Sequence, residues 1–213
     1  MGCDIHGYVE VRKYDFGTWY DCVNIKSIVG RNYDMFALLF GVRNDAAFIP
    51  IAPDRGMPAL VSDQVKKDVE EWGEDGHSLS WITWKEIQAI NWNEQGTQLA
   101  DRIFFYRPGE ERHYQSVGSA SYISDTNVAL LNRGETIELI DPFTNQRALC
   151  RREVQKTSDA ISSDWQCLFD LMKQLDEYYR RDEKQVIESS RVPVPANQIE
   201  DDSRVRLVVW FDN

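Results

Sequence analysis

Asp4 and His6 stand two residues apart in the run Asp4-Ile5-His6-Gly7-Tyr8-Val9-Glu10-Val11-Arg12. On a strand, residues at that spacing leave the same face, so a carboxylate and an imidazole converge on one ion or one substrate group. This donor pair suits a divalent metal ion such as zinc or manganese. Asp212, near the other end of the chain, is the candidate third ligand. A plainer reading stands beside this one, in which His6 is a hydrogen-bonded strand residue and Asp4 a cap where the strand starts.

Other residues could act on a phosphate-bearing molecule. Arg31, Arg43 and Arg55 each offer the planar fork that binds phosphate or carboxylate bidentately. His77, in Asp75-Gly76-His77-Ser78, is a candidate metal ligand or general acid or base. Trp81 follows closely and could stack on a nucleobase. Each has a structural alternative: an arginine beside a helix end pairs with carbonyls or an acidic neighbour, and a tryptophan packs a core. No phosphate-binding P-loop, dinucleotide fingerprint, Gly-x-Ser-x-Gly elbow or zinc-finger spacing occurs.

The elements that must carry these residues follow from hydropathy patterning. Residues 4–12 read as a half-buried strand, with Ile5, Val9 and Val11 on one face and Asp4, His6, Tyr8 and Glu10 on the other. Tyr14-Asp15-Phe16-Gly17 turns the chain into a hairpin partner at 18–23. A short apolar helix is expected over 33–42, and three prolines and one glycine make 49–58 irregular. Ser62 caps a helix reaching Glu71, and Thr83-Trp84-Lys85-Glu86 is a capping box that opens another. The stretch 73–81 between them reads as a polar connection.

Strands are expected at 103–107, 114–123 and 136–140, with a turn at 132–135. Ile161, Trp165, Leu168, Phe169, Met172, Leu175 and Tyr179 recur at helical spacing, predicting a helix over 159–181. After a charged, proline-bearing stretch over 180–202, residues 204–213 form a nearly continuous apolar strand, a pattern expected of a central strand buried on both faces.

Composition bounds the partners. The 213 residues include 35 acidic and 24 basic ones, a formal charge of −11, the wrong sign for broad nucleic-acid binding. With 42% hydrophobic residues the chain can form a substantial core. No apolar run approaches the ~20 residues of a membrane span. Cys3, Cys22, Cys150 and Cys167 lack metal-binding spacing, and nothing resembling a leader precedes Gly2, so free thiols in a reducing cytoplasm are expected.

Asp4-Ile5-His6-Gly7 resembles the first motif of the calcineurin-like metallophosphoesterases, but the companion motifs Gly-Asp-x-x-Asp-Arg-Gly and Gly-Asn-His-Glu are absent. A wider resemblance is to a family of small proteins encoded by bacteriophages and some bacteria. It is carried by the opening Met1-Gly2-Cys3-Asp4-Ile5-His6, by Gly30-Arg31-Asn32-Tyr33-Asp34-Met35-Phe36, and by Val42-Arg43-Asn44. Asp54-Arg55-Gly56-Met57-Pro58, Asp75-Gly76-His77-Ser78 and the ending from Val205-Arg206-Leu207 to Asp212-Asn213 extend it. The resemblance implies a phage setting, within the cytoplasm of a bacterial host, and supplies no catalytic assignment.

The expected architecture is a single α+β domain over 1–213. It has a mixed or antiparallel central sheet, helices packed mainly on one face, and the first and last strands adjacent in the middle. Two functions of different class fit the residues. One is a metal-assisted hydrolase of a nucleotide or other phosphate ester. The other is a non-catalytic protein that binds a nucleotide or inhibits a host defence protein. A structural role in a virion is a third.

Overall fold

The computed structural model describes residues 2–12, 18–96, 98–118, 123–189 and 203–213, with the side chains of 183–189 left aside. The expected turn at 14–17, the end of the expected strand at 119–122 and most of the proline-bearing stretch lie outside these residues. The architecture is α+β, with two four-stranded antiparallel sheets. The chain divides into two compact units, one formed by Met1–Asn32, Ile51–Ile90 and Ile161–Asn213, the other by Tyr33–Pro50 and Asn91–Ala160.

The first unit carries the terminal strands. β1 (Asp4–Arg12) pairs with β2 (Trp19–Asn24) on one side and with β8 (Val205–Asp212) on the other, and β3 (His77–Thr83) closes the far edge beside β8. The first and last strands are therefore adjacent and central, as expected from the strand pattern at both ends and the apolar run of the last. Their register sets Asp4 opposite Asp212, His6 opposite Trp210, Tyr8 opposite Val208 and Glu10 opposite Arg206. The backbones come close at Gly7, where a Cβ would lie 2.2 Å from the Val208 carbonyl oxygen, so only glycine fits.

β1 departs from the half-buried reading: Tyr8 through Val11 are buried on both faces. The cover on the polar face is α2 (Asp63–Trp72), N-capped by the Ser62 hydroxyl, which accepts from the Val65 N–H. Val65, Val69 and Trp72 recur at helical spacing and pack on Tyr8, Val208 and Trp210. α5 (Ser163–Ser189) also lies against β1 and β8, with Trp165, Leu168, Phe169 and Met172 buried.

A charge sits beneath α2. Glu10 is fully buried and Arg206 nearly so. The Arg206 Nε and Nη2 donate to Glu10 Oε2 at 2.8 and 2.7 Å, while Glu10 Oε1 accepts from the Ser62 N–H at 2.7 Å. Arg206 also donates to the Leu60 carbonyl and lies 3.9 Å over the Trp19 ring. One carboxylate thus ties β1 to β8 and to the start of α2, where the helix dipole favours a negative charge.

The capping box at Thr83 opens α3 (Trp84–Gln88) as the sequence predicts. The 73–81 connection does not hold: its second half is β3, whose pairing comes from the distant β8 and is interrupted by a register shift between His77 and Ser80.

In the second unit, β4 (Arg102–Tyr106), β5 (His113–Gly118), β6 (Ile137–Ile140) and β7 (Arg147–Arg151) form a sheet in the order β5-β4-β7-β6. Ile103, Phe105, Leu131, Ile137, Ala148 and Cys150 form its core, Leu131 coming from α4 (Asp125–Asn132). α1 (Tyr33–Phe40) buries every residue from Met35 to Phe40, and its Asp34 pairs bidentately with Arg102 at 2.9 and 2.6 Å. β7 and α4 are elements that the strand-and-turn reading of this region misses. No helix among the described residues is long and apolar enough to cross a membrane.

Removing one partner of a buried ion pair leaves an uncompensated charge, at a cost of about 3–5 kcal/mol. Glu10→Leu is therefore expected to lower unfolding stability by about that amount, and Glu10→Leu with Arg206→Met to recover most of it. Urea denaturation monitored by tryptophan fluorescence checks both.

Candidate functional site

The polar face of β1 emerges from under α2 at its N-terminal end. There Asp4, Ile5 and His6 meet Asp212 of β8, Trp72 at the end of α2, and Lys26, Val29, Gly30 and Arg31 from the segment after β2, around a recess of about 420 Å³. That volume lies within the range of small-molecule sites. A 3₁₀ turn at Ile25–Ser27, capped by the Asn24 side chain on the Lys26 N–H, positions the segment. The Gly30 N–H donates to Asp164 of α5 at 2.8 Å.

Arg31 grips Asp4 with its fork: Nε donates to Oδ1 at 2.5 Å and Nη2 to Oδ2 at 2.7 Å. Both side chains are about half exposed, at 52% and 48%. The hydrogen bonds from Arg31 hold the Asp4 carboxyl below the ordinary aspartate range, against a smaller opposing effect of burial. Asp212 Oδ1 accepts from the Asp4 N–H at 3.1 Å, and its Oδ2 lies 3.4 Å from His6 Nε2.

His6 is largely buried, and its Nε2 has no aligned hydrogen bond despite the proximity of Asp212. Rings hold it instead. The imidazole lies 4.3 Å from the Trp72 ring at 39° and 6.2 Å from Trp210. The Asp212 carboxylate thus lies beside His6 without a hydrogen bond, and the Trp72 and Trp210 rings flank the imidazole.

Of the residues expected to form a site, Asp4, His6, Arg31 and Asp212 come together. His77 does not join them. It stands opposite Phe211 in the register and stacks on that ring at 6.1 Å, on the sheet face opposite to that of His6; its Nδ1 lies 3.1 Å from the Ser78 hydroxyl. Arg55 is occupied structurally. It donates to both Glu86 oxygens at 3.1 and 2.7 Å and to the Ile51 and Trp81 carbonyls at 3.3 Å, and it lies 5.0 Å over the Trp81 ring.

Trp81 thus packs beneath Arg55 and against the α2 cluster. Arg43 lies in the second unit, exposed and at a positive φ of 53° just beyond α1. Lys26 and Trp72 are the site residues that sequence reasoning missed. Trp72 carried a signal, its helical spacing from Val65 and Val69; nothing in the sequence around Lys26 marked it.

A zinc or manganese ion at Asp4, His6 and Asp212 would have to share the two carboxylates with the partners they hold in this structure. Both Asp4 oxygens are engaged by Arg31 and one Asp212 oxygen by a backbone N–H. No group of three or more His, Cys, Asp or Glu among the described residues is placed to hold a metal. What the recess can do is bind a small ionic molecule. Lys26 and Arg31 supply positive charge, Asp4 and Asp212 offset it, and Trp72 offers an aromatic wall.

Because the folded-state pKa of Asp4 is depressed, its ion pair contributes stability that is present above the unfolded aspartate pKa and lost as pH falls through the lower folded value. NMR titration of the Asp4 carboxyl is expected to show a midpoint below that of a free aspartate. Arg31→Ala should move it upward.

Comparison with protein-family models, curated proteins and solved structures found no match to this chain.

Proposed function

We propose that this chain binds a small phosphorylated molecule, of nucleotide size or smaller, in the recess at the open end of β1 and β8. The observation that carries the reading is the convergence of Lys26 and Arg31 beside His6 and Trp72, on a chain whose overall charge is −11. An ammonium and a guanidinium are suited to phosphate oxygens as point charge and fork respectively. The Trp72 indole suits a base or other flat group. In the phage setting that the resemblance implies, withdrawing a host nucleotide from solution is a role such a pocket serves.

Hydrolysis of the bound ester is the second reading, favoured by the 3.4 Å approach of Asp212 Oδ2 to His6 Nε2. Asp212 would stabilise a positive imidazole formed when His6 takes a proton from an attacking water. Attack of that water on phosphorus would break the P–O ester bond, and the imidazolium would return its proton to the departing alkoxide, releasing an alcohol and inorganic phosphate.

Isothermal titration with adenosine monophosphate and with inorganic phosphate tests the binding reading. Charge-assisted hydrogen bonds are worth about 1.5–3 kcal/mol, so Lys26→Ala and Arg31→Ala are each expected to weaken binding by about tenfold or more. Absence of binding to the folded wild-type protein, or affinity in both variants unchanged from the wild type, defeats the proposal. Phosphate release that His6→Ala abolishes while binding survives would add the catalytic step.

A further inference from the structure

We propose that Asp4 is a built-in competitor for the site, its carboxylate occupying the Arg31 fork in place of the anionic group of the ligand. The inference rests on the binding reading above and concerns how that site is regulated. Three observations carry it. Arg31 and Asp4 both line the recess, so the fork that would receive an incoming anion is the one Asp4 fills. The pair is bidentate, at 2.5 and 2.7 Å, the geometry by which a guanidinium also takes a phosphate or a ligand carboxylate. And the pair is only half buried, with neither side chain sealed from solvent, so an anion can exchange for it without unfolding the strand.

The surroundings set the energy of the exchange and which partner moves. An ion pair this exposed is worth little, so displacing Asp4 costs about fivefold in affinity or less. The Asp4 carboxylate also lies opposite Asp212 in the strand register, so a second negative charge already borders the position an anion must take. Asp4 is fixed by its backbone, paired into β1, whereas Arg31 comes from the segment between β2 and α1, outside any helix or strand. The arginine is the partner that can turn from one anion to the other. Asp4 thus keeps the fork oriented and its charge compensated while the site is empty, at the expense of affinity.

The consequence is opposite to that of a metal-ligand or direct ligand-contact role, either of which makes Asp4 necessary for binding. Titration of inorganic phosphate and adenosine monophosphate into the full chain and into Asp4→Asn reads the difference. Asp4→Asn is expected to bind both probes about two- to fivefold more tightly, and Asp4→Asn with Arg31→Ala to lose that gain. Circular dichroism and the melting temperature establish that each variant is folded, and Asp4→Ser replaces Asp4→Asn if the latter is not.

Tighter binding in the Asp4 variant that disappears without Arg31 supports the competitor role. Unchanged or weaker binding, with the wild type still binding, overturns that role and leaves the pocket reading intact. No binding by the wild type or by either folded variant overturns both.

Discussion

The carboxylate of Glu10 is the constraint on which the first unit depends. It is fully buried, and an unpaired charge there would cost several kcal/mol. Its two oxygens are satisfied by Arg206 across the strand pair and by the N–H of Ser62 at the head of α2. The arrangement fixes more than a pair of residues. It selects the register that sets Glu10 opposite Arg206, because a one-residue slip would carry Arg206 to the apolar face beside Val9 and Val11. It also fixes where α2 begins, and with a rise of about 1.5 Å per residue that determines where its last residue, Trp72, comes to lie.

The polar face of β1 follows from this as a gradient. Glu10 is sealed beneath α2. Tyr8, nearly buried, donates its hydroxyl to Asp68 of the same helix at 2.6 Å. His6 meets the ring at the helix end, and Asp4, past the end of the helix, is half exposed and pairs with Arg31. Four polar residues at alternate positions thus do four different things, according to how much of α2 lies above each. The recess opens where the helix stops. The site is a consequence of the cover being shorter than the strand.

This explains what the sequence could and could not show. Strand period and cap chemistry are local, so β1, the β2 hairpin partner, the Ser62 cap and the Thr83 capping box were legible, as was the burial of β8 from its apolar run. The gathering of Asp4, His6, Arg31 and Asp212 was legible in part, because two of the four share a strand face. Alternation marks β1 as half-buried, since it is silent about the later helix α2 that covers the polar face. β3 was invisible because β8 supplies its partner and a register shift disturbs its start. Arg55 and Glu86 are 31 residues apart, and no local signal pairs them. β7 offers only Ala148 and Cys150 as inward residues, a weak strand signal.

The chain charge of −11 opposes the proposed binding of an anion, and screening limits how far that opposition reaches. Exposed charges more than about 8 Å apart are largely screened at physiological salt, and the acidic side chains of Asp68, Glu71 and Asp75 border a neighbouring hollow that shares Trp72 with the recess. What such a ligand meets at contact range is Lys26, Arg31, Asp4 and Asp212, two charges of each sign around a ring-held imidazole. Within that set the carboxylates are tied down, Asp4 by its place opposite Asp212 in β1 and Asp212 by the Asp4 N–H. The cations stand on the connecting segment. In the proposed binding role, a ligand would exchange partners within this compensated set of charges, while the strand pair that Glu10 and Arg206 lock together holds the two carboxylates in place.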